Sequence, residues 1–487
     1  MSVLFGSSAL YAVSCASGPL WQDSGLIQYR IWHNDIEGFL GLAISHPLFY
    51  IIGIAAKYIP LGEFGHRVNL ISALAAAVAV ANLFLLVRLW LGKDFPALVA
   101  AVSFAVCHTF WWHASVIETY TTWAAFFTAE LLMLLQYVRT GRKRYLYLLG
   151  LFNGLAISVH MLASISLVCY AVFLLLLLTR KKISIRDLAL FILLWVLGAL
   201  PYEYLIIKNI LQSGDIAGTL ASAAFGARWR GAVLNATLTT RIVKENFLLI
   251  MLNFPTPTLL LFFIGFFGLF KVGTTAGFRN VLPVLTILFL GFAFRYTIAD
   301  RYSFFIPFYC LASVFIGAGA YLLQTRWNSR VMVSVVLLFT FLPICVYAAA
   351  PRLAKKWQLN IGTRSDIPYR DDYEYFLKPW KTCDHGAERF AGEALEIAGD
   401  DAVIWADTTT VAPLMYMQEV KSKRPDVKIV SVVSSVDAPE FNEQTVGQIL
   451  KERPVYVVSR KPGYCPEFIL KNYDLIQAGV LWRVVGR

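Results

Sequence analysis

Asp23 follows Trp21 by two residues in "GPLWQDSGLIQYR", where a long apolar run gives out. A carboxylate at the mouth of a membrane-length run is costly, so ionisable groups in such places are functional candidates by default. Others occupy equivalent positions. Asp35 and Glu37 follow in the same loop, His46 opens a short apolar stretch and Arg67 precedes the next long run. Glu118 and Tyr120 sit in "WWHASVIETY", His160 lies between two apolar runs, and Asp300-Arg301 precede another. Carboxylates and histidines at membrane depth pass protons, either along a relay or in acid–base catalysis. Arginine grips phosphate with two parallel hydrogen bonds.

Each residue also has an ordinary reading. Asp23 would cap a helix starting near Ser24, since Asp is a favoured N-cap. Glu118 would be solvated on a wet corner, His160 bonded to a carbonyl in the core, and Arg301 paired with Asp300. The elements that place these residues on one face therefore carry the argument.

The chain of 487 residues is 58% hydrophobic and 15% charged, well below the roughly 25% charged of soluble proteins. It reads as a polytopic membrane protein. Residues 1–350 are a series of apolar runs, whereas 351–487 resemble an ordinary soluble domain. A bilayer crossing needs about 20 apolar residues, which gives about eleven spans: 2–20, 68–91, 96–113, 121–138, 145–159, 161–179, 187–205, 247–270, 280–296, 304–323 and 331–350. The stretch 46–60, short and bounded by prolines, suits a re-entrant or surface-lying helix. No basic residue precedes the first run, so it reads as an uncleaved span rather than a secretory signal.

The net charge of +12 sits largely in short links: "RTGRKR", "TRKKISIR", Lys271 with Arg279, and Arg326 with Arg330. That is the positive-inside pattern, and it argues against nucleic acid as a partner. With a cytoplasmic N-terminus these links are cytoplasmic. Residues 21–67, Glu118, His160, the 206–246 loop, Asp300 and the C-terminal unit then share the opposite side. The C-terminal unit alternates helix and strand patterns and ends in a hairpin-like segment, an α/β layer fold. It has no glycine-rich phosphate loop. Cys383 and Cys465 could pair in an oxidising compartment, and no cysteine has metal-ligand spacing. "NAT" at 235–237 is a sequon on the outer side.

Several stretches carry a family resemblance. "LWQDSGLIQYR", "SHPLFY", "HRVNLISAL", "FWWHASVIETYT", "GLAISVHM" and "DRYSFFIPFY" occur in the order found in a large family of GT-C glycosyltransferases, one that includes a eukaryotic transmembrane protein O-mannosyltransferase. "DDAVIWADTTTVAPLMYMQEVKSKRPDVKIV" is similar to the soluble tail of many members. Leu26 departs from the pattern, because an acidic residue often follows Asp-Ser-Gly in the family.

The resemblance implies an inverting transferase that moves a sugar from a polyprenyl-phosphate donor to an acceptor outside the cytoplasm. The sugar would be a hexose such as mannose, and the acceptor Ser/Thr hydroxyls of secreted or membrane proteins, or an envelope lipid or glycan. Asp23 is then the expected general base. Glu118 would position acceptor or sugar, or help bind a divalent cation (Mg or Mn). Arg67, Arg228, Arg230 and Arg301 would face the phosphate, and His46, Tyr120, His160 and Asp300 would complete the substrate site. A metal site is not expected, and a bacterial inner membrane is the expected location. Two other classes remain: a proton-coupled transporter, opposed by charges that cluster at one surface, and a non-catalytic anchor for the soluble unit.

Overall fold

The computed structural model describes residues 1–226, 229–272, 275–298, 300–361, 364–431 and 441–487. Helices α1 (Ser2–Ser14) and α2 (Gln22–Trp32) are separated by an extended stretch around Gly18-Pro19. The first helix is thus shorter than its apolar run. Then come α3 (Pro47–Lys57), opened by Pro47 in the first turn, the long α4 (Phe64–Leu91), α5 (Asp94–Ala105), α6 (His108–Ser115) and α7 (Thr119–Thr140). Next are α8 (Arg144–Val159), α9 (Ala163–Thr179) and α10 (Ile185–Ser213), whose start is fixed by a reciprocal Ser184–Asp187 capping box. α11 (Ile216–Phe225), α12 (Arg230–Val233), α13 (Thr240–Asn253), α14 (Thr258–Phe267), α15 (Ala276–Arg295), α16 (Ile306–Arg326), α17 (Arg330–Phe341) and α18 (Pro343–Lys356) complete the helical unit.

Five helices among the described residues are long and apolar enough to cross a membrane, counting α17–α18 together and α16 with the turn before it. Two bent helix pairs, α5–α6 at 62° and α13–α14 at 107°, meet the same length and composition test only when each pair is taken together. The expected eleven uninterrupted spans are therefore not what folds. Pro255 and Pro257 interrupt one apolar run, because proline removes a helical donor and disfavours helix in the residue before it. α8 and α9 are each apolar but fall short of the full span length. The chain is an integral membrane protein.

α16 is the central strut, buried at every position from Ile306 to Ala320. A wholly buried carboxylate on α7, Glu130, ties neighbouring helices together. It accepts hydrogen bonds from Asn153 Nδ2 at 3.2 Å and Ser166 Oγ at 3.0 Å, while Trp195 Nε1 donates to Asn153 Oδ1 at 2.9 Å. Burying a charge-capable group requires such partners.

α18 runs past residue 350, so the globular part begins beyond Lys356. It holds α19 (Asp372–Leu377), α20 (Gly386–Ile397), β1 (Val403–Trp405), α21 (Val411–Glu419), β2 (Lys428–Val430), α22 (Val446–Glu452), β3 (Val455–Val457), α23 (Glu467–Asn472), β4 (Tyr473–Ala478) and β5 (Leu481–Gly486). The sheet order is β2-β1-β3-β5-β4, with β2, β1 and β3 parallel and the β4–β5 hairpin antiparallel. Cys383 and Cys465 are both free thiols, one exposed and one buried, so the disulfide weighed from sequence does not form here.

α21 lies across the helical unit like a saddle. Gly25 of α2 sits so close to it that an added Cβ would stand 2.8 Å from Ala412 Cβ and 2.2 Å from the Leu20 carbonyl. Further along, Tyr416 donates its hydroxyl to Glu63 at 3.0 Å and accepts from the Gly65 amide at 3.0 Å, and Glu419 meets His33 at 2.5 Å.

Candidate active site

Asp23 lies in the first turn of α2, which begins at Gln22 with Trp21 as N-cap and no side-chain cap. The capping role that its residue type suggested is therefore not the one it plays. Its carboxylate makes no hydrogen bond among the described residues and stays accessible, although protein surrounds it closely enough to raise its pKa by burial. Gln22, just before it, adopts a left-handed backbone (φ 54°), a conformation rare outside glycine that persists only where its surroundings enforce it.

Glu118 immediately precedes α7, and its side chain turns toward Asp23. Ser24 Oγ donates to Glu118 Oε1 at 2.7 Å. Ser72 of α4 holds the Glu118 backbone from both ends, accepting from its amide at 2.9 Å and donating to its carbonyl at 3.0 Å. Asp300 is the third carboxylate. Burial, then the nearby Asp23, raises Asp300 to about 7. Burial, then Asp23, pushes Glu118 up to about 8, with Asp300 adding a smaller push. These are carboxylates close enough to repel one another, so each disfavours ionisation of the next.

The turn after Asp300 is fixed by His113. Its Nδ1 donates to the Thr109 carbonyl at 2.7 Å, leaving Nε2 to accept from Ser303 Oγ at 2.9 Å. Arg301 is buried and ion-paired with Glu245, which also pairs with Arg241 at 2.7 Å. The expected pairing of Arg301 with its neighbour Asp300 is not the one formed.

His46 and His160 stack at 5.0 Å and 20°, and Tyr120 and Phe304 pack against His160 at 5.1 and 5.7 Å. His46 Nδ1 donates to the Val159 carbonyl at 2.8 Å, whereas His160 Nδ1 accepts from the Leu162 amide at 3.1 Å. The two rings are thus opposite tautomers: His46 Nε2 is an acceptor and His160 Nε2 a donor. Burial holds both neutral, lowering His160 to about 3 and His46 well below the usual histidine value.

The expected phosphate cations do not all converge. Arg67 donates to the carbonyls of Lys57, Leu61 and Gly62 at 3.0–3.4 Å, stapling the loop between α3 and α4. Arg230 is exposed on α12, and Arg228 lies outside the described residues. Asn235 of the sequon donates to the Arg295 carbonyl at 2.6 Å, so its amide closes the end of α15.

Sequence reading missed the contribution of the C-terminal unit. A cavity of about 400 Å³ is lined by Trp21, Arg370, Tyr375, Trp380 and Lys381 among others. It opens beside the Asp23 turn, although Asp23 does not line it. Arg370 Nη2 reaches Gln22 Oε1 at 3.3 Å. Among the described residues no three His, Cys, Asp or Glu side chains converge closely enough to hold a metal ion.

Residues 42–184 match the family described as "Protein O-mannosyl-transferase TMEM260 N-terminal domain". Over that segment the chain is similar to a family of membrane glycosyltransferases. Its fold is similar to that of ArnT from Cupriavidus metallidurans, solved bound to undecaprenyl phosphate, with a TM-score of 0.66 and 12% identity, covering 99% of this chain and 97% of that one. AglB from Archaeoglobus fulgidus, an archaeal oligosaccharyltransferase, aligns over 100% of this chain and 74% of its own at 14% identity, with a TM-score of only 0.47. No curated protein matches the sequence. The ArnT likeness is one of fold; the match over residues 42–184 is what points to glycosyltransferase activity.

Proposed function

We propose that the enzyme transfers a hexose such as mannose, with inversion, from a polyprenyl-phosphate donor to Ser/Thr hydroxyls of secreted or membrane proteins. The observation that carries this reading is Asp23: an accessible carboxylate without a hydrogen bond, placed against Glu118 and Asp300. The fold-related ArnT was solved with undecaprenyl phosphate, which supports a lipid-linked donor. α7 supports the orientation. Its 22 residues rise about 33 Å at about 1.5 Å each, a bilayer core in length, although α7 is less apolar than the five candidate crossings. Glu118 stands at one end and Arg139, Arg142 and Lys143 at the other. The carboxylates and the C-terminal unit then face the outside of a bacterial inner membrane.

An acceptor hydroxyl has a pKa far above neutrality, so it needs a base as it attacks. Asp23 takes that proton while the acceptor oxygen bonds to the anomeric carbon. The bond from that carbon to the phosphate oxygen breaks, releasing polyprenyl phosphate in a single inverting displacement. Glu118, protonated near neutral pH, adds no charge to the trio and offers a hydrogen bond to sugar or acceptor. The His46–His160 pair presents one acceptor and one donor nitrogen to a sugar hydroxyl or phosphate oxygen. Arg301, in the turn that follows Asp300, supplies positive charge as the leaving phosphate gains charge, and Asp300 and Tyr120 wall the site. The cavity beside Trp21 gives room for the acceptor. A divalent cation would have Asp23 and Glu118 as its protein ligands, but among the described residues no group of three such side chains converges closely enough to hold one.

Asp23→Asn keeps the size and removes the base, so transfer should fall about 10²–10⁴-fold with folding intact. Full activity in that variant overturns the assignment. Mass spectrometry of glycoproteins and glycolipids from a deletion strain tests the acceptor. A hexose missing from secreted proteins supports the reading; one missing only from a lipid or polysaccharide moves the acceptor to the cell envelope.

A further inference from the structure

In sheets with parallel strands, ligands sit outside the carboxyl ends of the strands where the strand order reverses. Here that point is the end of β1, between β2 and β3. It is filled by the protein itself. Arg364, 1% exposed, ion-pairs with Asp407 just beyond β1 at 2.9 Å and stacks on Tyr464 at 3.7 Å. Asp366, beside it, accepts from Ser459 just beyond β3.

The contacts continue outward from this plug. Asp407 Oδ1 accepts from the Thr409 amide at 2.7 Å, and Arg364 Nη1 reaches Thr409 Oγ1 at 3.4 Å. The Thr409 carbonyl, so oriented, accepts from the amide of Gln22 at 3.3 Å. Gln22 is the residue held left-handed immediately before Asp23, and Arg370 grips its side chain from a second direction. Trp21 packs on Phe390 of α20 at 5.6 Å, and Gly25 lets the first turn of α2 touch Ala412. A left-handed glutamine is strained on its own and needs this seat.

We infer that the C-terminal unit positions the reacting centre: Arg364, acting through Asp407 and Thr409, holds the Gln22 turn that presents Asp23. Arg364 is thus a positioning residue rather than a catalytic one, and the crevice it fills is a seat instead of a ligand site. The inference rests on the reading of Asp23 as the base. A displacement of about 1 Å from a remote change can cost about 100-fold in rate, so the effect should appear in turnover and not in donor binding.

The test uses full-length variants in membrane vesicles from the deletion strain, with undecaprenyl-phosphate-linked mannose as donor and the strain's own acceptors. Arg364→Ala and Asp407→Asn should each lower kcat about 10- to 100-fold at unchanged donor KM, and should shift the acid limb of the pH–rate profile. Arg364→Lys, which keeps the charge but loses the fork, should restore part of the rate. If Arg364→Ala does not accumulate, Gln22→Pro leaves the plug intact but removes the amide donor and forbids the left-handed backbone. It should give the same kcat-only loss. Wild-type kcat and pH profile in Arg364→Ala or Gln22→Pro overturns the inference, as does a loss confined to KM. If those variants are fully active while Asp23→Asn is dead, the positioning inference alone fails. If Asp23→Asn is active, the base reading fails with it.

Discussion

Asp23, Ser24 and Gly25 are adjacent in sequence but do three different jobs. Asp23 offers an unengaged carboxylate, Ser24 holds Glu118 at 2.7 Å, and Gly25 makes room for Ala412. Glu118 yields a prediction in pH. Its folded value of about 8 lies above the roughly 4.3 of an exposed glutamate. Between those values the folded protein binds more protons than the unfolded chain, so stability falls as pH rises through the window. Glu118→Gln should therefore raise the thermal midpoint at about pH 8.5 and leave it unchanged at about pH 4. It should also remove an alkaline limb near pH 8 from the activity profile. Thermal scans and pH–rate curves of the variant check both expectations. Asp23, Glu118 and Asp300 were legible in the sequence because each ends or precedes an apolar run, which fixes its height relative to the bilayer. Arg67 and Arg301 were legible as residues but not as partners. A sequence places a guanidinium near a surface without showing that backbone carbonyls or Glu245 already occupy its donors.

At the scale of elements, apolar length and helix length part company wherever the backbone cannot continue. The run ending at Gly18-Pro19 folds as α1 plus an extended arm, and the arm is what carries Trp21 over to Phe390. The run containing Pro255 and Pro257 folds as two helices bent by 107°. Hydrophobicity reports which residues avoid water, while proline and tertiary packing decide where a helix turns. The contact between α2 and α21 offers a sharp test. Gly25→Ala puts a methyl group 2.2 Å from the Leu20 carbonyl and 2.8 Å from Ala412 Cβ, and neither can yield without moving a helix. Overpacking of this kind costs about 1–3 kcal/mol, so Gly25→Ala should lower the thermal midpoint and reduce transfer. A control such as Gly291→Ala, where nothing lies within 4 Å of the added carbon, should do neither.

For the whole molecule, the junction between the helical unit and the C-terminal unit is buried and polar. Lys381 is 2% exposed, donates through Nζ to the carbonyls of Tyr375 and Lys378 at 2.6 and 2.7 Å, and through its amide to Ser14 of α1 at 2.7 Å. Burial lowers it to about 7, against roughly 10.4 for a free lysine. The unfolded chain binds more protons between those values, so stability should rise as pH climbs from about 7 toward 10. Above the window in which Glu118 acts, melting of the wild type at about pH 8.5 and pH 10 should show this rise, and Lys381→Met should flatten it. None of this junction was visible in the sequence, where 351–487 reads as a self-contained soluble domain. Periodicity reports which face of an element is buried, not which distant element buries it.

The hydrogen bond from Gln22 to Thr409 joins the first turn of the reacting centre to a loop near the other end of the chain. Synthesis runs from Asp23 toward Thr409, so a nascent chain carries the carboxylate long before it carries the seat. Until the segment carrying Arg370 and Thr409 has been made and folded, the turn lacks the contacts that hold its left-handed glutamine. If this seat positions Asp23 as inferred above, a chain stalled or clipped before Thr409 should lack transfer activity.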